Sequence, residues 1–251
     1  MIPRMLATAV ERESTMKRWL TTMCAALLLI GAAAPARAIG PIFDWDPAYF
    51  WQAGGTPTNL PAGGILKSVG TISAFGAPLD FLNATLPSIE YTFYVDGLTS
   101  LGTSVVGPPA TEIYTTFYTG GAIAMYADAT PDAVFTPFPP NADVPSTFLN
   151  DPPAILTGVF TSLVVTTNNF TAFQVGSIEG SIQWTGGSLI GYLGGPGGVP
   201  CPGLFTGGAT WNTSPGIGIP GYLFRHDGKI DLQCPVPTQK STWGRLKSLY
   251  R

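Results

Sequence analysis

Between Lys67 and Arg225 the chain carries no lysine or arginine, while Asp80, Glu90, Asp96, Glu112, Asp128, Asp132, Asp143, Asp151 and Glu179 all fall in that stretch. Nucleic-acid binders need cations that neutralise phosphates and release their counterions. The main body offers none, so nucleic acid is excluded as a partner and phosphorylated ligands are disfavoured. Histidine is equally scarce. His226 stands alone, next to Asp227-Gly228, and reads as a surface or partly packed residue beside a turn. No Gly-x-Ser-x-Gly elbow occurs, because Ser188 in Gly187-Ser188-Leu189-Ile190-Gly191 misses that pattern by one residue. No catalytic, cofactor-binding or metal-binding residue is assigned on this basis, no cofactor is expected, and the reading favours a protein that is not an enzyme.

Long apolar runs are also lacking. The longest near the N-terminus, Met23 to Ala34, has 12 residues, against the ~20 a helix needs to cross a bilayer. It follows Lys17-Arg18, and Pro35 and the small-x-small triplet Ala36-Arg37-Ala38 come after it. That order of charge, apolar run and cleavage site predicts a secretory signal peptide over residues 1–38, with Met16 as the true start. The mature chain then begins at Ile39, has no transmembrane helix, and lies outside the cytoplasm: in the periplasm, at the cell surface or released. Cysteine is rare as well, at three. Cys24 goes with the signal, which leaves Cys201 and Cys234 in an oxidising compartment and predicts a disulfide between them. The closed loop of about 34 residues would contribute about 3–4 kcal/mol on the chain-entropy model. Two Cys and one His at these spacings match no zinc pattern.

What the chain has in quantity is glycine and proline, 31 and 24 of 251 residues, interleaved with aromatic and β-branched residues. Ile89, Tyr91, Phe93 and Val95 alternate with Glu90, Thr92, Tyr94 and Asp96. Ile178, Ile182 and Trp184 alternate with Glu179, Ser181, Gln183 and Thr185. Period two marks strands with one face to the core. Further strands are expected over Ile65–Phe75, Glu112–Tyr118, Ala122–Ala127, Ile155–Thr166 and Phe170–Val175. Gly120-Gly121 reads as a tight hairpin turn, and Asn168-Asn169 as another turn. Thr130–Pro153 and Gly194–Gly221 read as long loops. The fold class is therefore all-β, an antiparallel sandwich or barrel-like meander, as a single domain over residues 39–240. A short helix is expected over 241–251, with Trp243, Leu246, Leu249 and Tyr250 on one side and Lys247 and Arg251 at its C-terminal end.

That tail, Thr242-Trp243-Gly244-Arg245-Leu246-Lys247-Ser248-Leu249-Tyr250-Arg251, resembles the Trp-Gly-x-x-Lys-x-x-Tyr-Arg ending of exported bacterial β-rich proteins without assigned function. Tyr118-Thr119-Gly120-Gly121, Tyr126-x-Asp128-x-Thr130-Pro131-Asp132 and Pro139-Pro140-Asn141-Ala142 share the resemblance. It implies a bacterial source and an extracytoplasmic site, and carries no activity or functional residue. The tail reads either as a docked terminal helix or as a sorting signal.

Two chemistries remain to weigh. Glu90, Glu112 and Glu179 on strands, with aromatics nearby, permit a carbohydrate-binding or carbohydrate-cleaving protein, since glycosidases use paired carboxylates. Trp51, Trp184 and Trp211 are the candidate ligand-contact aromatics. Asp128, Asp132, Asn141, Asp143, Asn150 and Asp151 gather oxygen ligands of the kind calcium takes, although Asp and Asn also suit turns for local reasons. The leading expectation is a non-enzymatic structural or binding module of the cell envelope or exterior, with an envelope, protein or glycan partner.

Overall fold

The computed structural model describes residues 41–136, 145–149, 153–170, 174–212 and 218–234. The expected signal peptide with Cys24, the segment 241–251 in which a helix was expected, and the residues Asn141, Asp143, Asn150 and Asp151 lie outside these.

The described chain is all-β. Its strands are β1 (Pro41–Gln52), β2 (Ile65–Phe75), β3 (Glu90–Val106), β4 (Ile113–Thr119), β5 (Ala122–Asp128), β6 (Leu156–Asn168), β7 (Val175–Gly186), β8 (Gly203–Trp211) and β9 (Phe224–Leu232). Each pairs antiparallel with its neighbours, and β1 pairs with both β2 and β9, which closes the sheet into a barrel. Between sandwich and barrel, the structure is a barrel. Nine strands fill eight positions, because β4 and β5 lie end to end between β3 and β6. Thr99 faces Thr119 and Asp96 faces Ala122 in one unbroken register on β3. On β6, Leu163 faces Tyr118 and Val159 faces Ala122.

Gly120-Gly121 is therefore not a hairpin. Both glycines have positive φ, +68° and +84°, but the chain kinks there and continues in the same direction. A Cβ on Gly121 would come within 2.6 Å of the Leu98 side chain, so the site demands glycine for space as well as for φ. Two glycines make a hairpin only when their flanks pair with each other. Here both flanks pair with β3 and β6 instead.

Three strands were not expected. β1 contains Pro47 and shifts register between Trp45 and Ala48, which breaks its alternation. β8 is glycine-rich and was read as loop. β9 alternates cleanly, with Phe224, His226, Ile230 and Leu232 inward and Arg225, Asp227, Lys229 and Asp231 on the other parity. Of the expected strand Phe170–Val175, Val175 opens β7, and residues 171–173 are outside the described set.

An eight-stranded barrel has room inside for side chains and little more, and large aromatics fill this one. Trp45 stacks on Phe205 with ring centroids 4.4 Å apart and meets Phe93 edge-on at 5.5 Å. Gly70 makes space for Phe93, whose ring would lie 2.4 Å from any Cβ there. One end is capped by the segment 53–64. Its Leu60 is buried, donates its N–H to Thr103 Oγ1 at 2.8 Å, and accepts the Ser100 hydroxyl at 3.1 Å. At the other end Leu79 and Leu193 are buried, and Asn83 bonds both backbone groups of Phe75. Apolar side chains fill the interior, the side that a membrane-spanning barrel makes polar.

Outside the barrel, Tyr49, Val69, Phe148 and Tyr222 form a second buried cluster, with Phe135 packed against it. The proline-rich stretch after β5 thus lays Phe135 and Phe148 over the outer face of β1 and β2. The Thr92 hydroxyl donates to Phe148 O at 3.0 Å to hold it there.

Candidate functional site

His226 lies in the barrel core, fully buried, and not at a surface turn as expected; Asp227 and Gly228 continue β9. Trp45 Nε1 donates to His226 Nδ1 at 3.0 Å, and Nε2 lies 2.9 Å from Ser68 Oγ. An indole N–H can only donate, so Nδ1 must be the bare nitrogen and Nε2 carries the proton toward Ser68. The imidazole stacks on Phe50 at 4.1 Å and 12°. Burial pushes its pKa down to about 3. This histidine is a neutral structural link, and Ser188, exposed between β7 and Leu189, is not near it in the strand order.

Cys201 and Cys234 form the expected disulfide, with Cα atoms 4.7 Å apart. It ties the segment before β8 to the end of β9. Gln233 donates its backbone N–H to Pro202 O at 2.8 Å alongside it.

Of the candidate aromatics, Trp184 and Trp211 are buried in the core and present no exposed platform. Their indole nitrogens have no hydrogen-bond partner among the described residues. Trp51 is half-buried beside the second cluster, with Lys67 Nζ 5.8 Å from its ring centroid. The strand carboxylates diverge: Glu179 is exposed on the outer face of β7, Glu112 precedes β4, and Glu90 faces Asp128 across β3 and β5.

Glu90, Asp128 and Asp132 come together, with carboxylate oxygens within 4.8 Å of one another. Three such oxygens are suited to a hard cation. Local bonding also employs them. Glu90 Oε2 accepts the backbone N–H groups of Asp132 and Ala133 at 3.0 and 2.9 Å, and Asp128 Oδ1 accepts that of Thr130 at 2.8 Å. Glu90, one of the three strand carboxylates weighed for a carbohydrate site, fixes the start of the proline-rich stretch.

A surface feature with room for a ligand was not visible in the sequence. Across the outer faces of β3, β4, β6 and β7 runs a depression of about 340 Å³ lined by Leu101, Phe117, Val164 and Glu179. A second, of about 500 Å³, lies between β7 and the segment carrying Val199, Pro200, Cys201 and Pro202. Both are lined by Thr161 and Ser181, so they form one groove. Leu101, Phe117 and Val199 are 60%, 55% and 68% exposed. Among the described residues that line it, Glu179 is the one charged side chain, beside Thr161, Ser162, Ser181 and Gln183. A shallower trough over β1, β8 and β9 contrasts with it, rimmed by Asp44, Asp46, Asp227 and Lys229 on a glycine floor. The one available signal for the groove was local: in β4, Phe117 and Tyr118 are adjacent aromatics on opposite faces, so one of them must point outward.

In comparisons with known proteins, the chain matches no family model, no curated sequence and no solved structure.

Proposed function

We propose that the chain is an exported, non-enzymatic binding module whose ligand surface is the apolar groove across β3, β4, β6 and β7. The observation that carries this reading is the groove itself, which exposes Leu101, Phe117 and Val199 on a barrel whose interior is filled by its own aromatics. Contiguous exposed apolar surface in a folded protein is characteristic of a contact site. The lining favours an apolar ligand such as an extended hydrophobic peptide segment or an acyl chain, anchored by a few hydroxyl and amide groups. Export is supported by the N-terminal pattern and by the Cys201–Cys234 disulfide. The carbohydrate alternative keeps close carboxylates at Glu90 and Asp128, but Trp184 and Trp211 give it no stacking platform.

The apolar fluorophore bis-ANS is the probe for the groove. Phe117→Asp and Leu101→Asp should each weaken its binding to the mature protein about tenfold. Both side chains are more than half exposed, so stability should change by no more than about 0.5 kcal/mol. Equal binding by wild type and both variants would refute the reading.

Export and the disulfide make one joint prediction. Mass spectrometry of the protein recovered from outside the cytoplasm should find an N-terminus at Ile39 and an intact Cys201–Cys234 bridge. Replacing both cysteines by serine should lower the unfolding free energy by about 3 kcal/mol. Recovery of unprocessed chain with free thiols would contradict both.

A further inference from the structure

We propose that a second copy of this chain docks on the overhang of β3, the two β3 strands pairing antiparallel across a two-fold axis. This goes beyond the groove reading and stands without it.

β3 runs from Glu90 to Val106 and outlasts its neighbour on one side. β2 pairs with it only between Thr92 and Thr99, and Gly63 and Gly64 then take the backbone groups of Ser100. On the other side β4 accompanies it to the end, with Ser104 facing Thr115 and Val106 facing Ile113. Alternation along a strand decides which backbone groups are left over. Glu112 O accepts the Asn169 N–H from the β6 side at 3.1 Å. Ile113 and Thr115 therefore turn their backbone groups toward β3, where Val106 and Ser104 meet them. Thr103 and Val105 direct N–H and C=O the other way, to the side that β2 has left. Among the described residues, no backbone group pairs with them there.

The overhang also lacks the devices that keep an edge from pairing, such as charge or an interrupting proline. From Leu101 to Val106 there is neither. Val105 and Val106 are 54% and 70% exposed. Val105 has the parity of Thr103, whose hydroxyl meets that of the buried Thr116, yet it is open because the strand has outrun β2.

Such an edge specifies an extended strand that offers N–H and C=O at the same alternate positions. A second copy does this. Antiparallel pairing centred on Ser104 sets Thr103 against Val105 of the second copy, and Val105 against its Thr103. That makes about four backbone hydrogen bonds, and it places the two Ser104 side chains directly opposite each other. Val106 of each copy then comes beside Gly102 of the other, where the exposed Ala62 lies against the glycine and no side chain stands in the way. A two-fold pairing uses the edge on both copies, so it stops at the dimer. With a handful of residues a side, the contact stays under about 1,200 Å² in total, the range of weak and reversible complexes.

Sedimentation velocity of the mature, disulfide-bonded protein from about 10 µM to about 1 mM tests this, since a weak complex forms over that range. Wild type should pass from monomer to dimer. Val105→Pro removes an N–H aimed at the second copy and none that β4 uses, and should weaken the dimer at least about tenfold. Ser104→Lys and Ser104→Glu should each stay monomeric, and their equimolar mixture should restore the dimer, because the two positions face each other. Both lie on the exposed face of the overhang, so the charge pair remains decisive if the proline disturbs folding. A wild type that stays monomeric throughout would overturn the proposal, and so would a mixture that stays monomeric. A dimer that persists in all three variants but dissolves in Phe117→Asp would place the contact on the groove and overturn the edge. Val105→Pro should leave bis-ANS binding unchanged, so that edge and groove fail separately.

Discussion

Trp45→Ala should lower the free energy of unfolding by about 5 kcal/mol. Two costs combine. Trp45 is 1% exposed and packs on Phe205 and Phe93, and truncating a buried Trp to Ala typically costs 3–5 kcal/mol in lost burial and residual cavity, so roughly that range applies. The substitution also removes the only donor to His226 Nδ1 in the described structure, and a buried acceptor left without a partner costs about 1–3 kcal/mol. Trp45→Phe separates the two, since it keeps most of the apolar volume and loses the N–H. It should cost about half as much. Denaturant midpoints for the three proteins check this, and equal losses for Ala and Phe would mean that the hydrogen bond rather than the packing dominates.

The second large effect is a pH dependence carried by His226. Its folded-state pKa is about 3, because burial disfavours the charged form, against about 6.5 in the unfolded chain. Protonating Nδ1 would also turn an N–H against the Trp45 N–H that now donates to it. For a group whose folded pKa is depressed, the unfolded state takes up the proton first as pH falls. The stability is therefore fully present above about pH 6.5 and is lost progressively toward pH 3. The loss should be about 2–3 kcal/mol by pH 4.5 and about 4–5 kcal/mol in all. Carboxylates contribute their own acid dependence, so the comparison is with His226→Gln, which retains hydrogen-bonding capacity and does not titrate. The gap in unfolding free energy between wild type and variant should narrow by about 2–3 kcal/mol between pH 7 and pH 4.5. A gap that stays constant would mean that His226 is not the neutral buried group described above.

Where the sequence alternated with plain apolar and polar residues, the strands were legible from it. β2 falls on Ile65–Phe75 as expected, and β7 keeps Ile178, Ile182 and Trp184 inward. β9 was missed because its inward residues include a histidine and its outward ones are the alternating charges Arg225, Asp227, Lys229 and Asp231, which read as solvated surface. β1 was hidden by Pro47 and a register shift, and β8 by glycine. Gly120-Gly121 misled because turn chemistry is local, whereas the pairing of β4 and β5 with β3 is not. The disulfide was legible because two cysteines remain in a chain expected to be exported. The groove was not, since Leu101, Phe117, Glu179 and Val199 lie far apart in sequence and meet only through barrel neighbours. The burial of Trp211 was not legible either, because β8 was read as loop, whereas Trp184 shares the inward parity of Ile178 and Ile182.

The central claim is that ligands meet the outside of this barrel along one apolar groove. Photolabelling of the mature protein with a small apolar aryl diazirine, read out by residue-level mass spectrometry, tests it most directly. The account predicts that adducts concentrate at Leu101, Phe117, Val164 and Val199 and disappear from this set in Phe117→Asp. Labelling concentrated instead at the exposed Phe81–Tyr192 pair, or around Trp184 and Trp211, would contradict it.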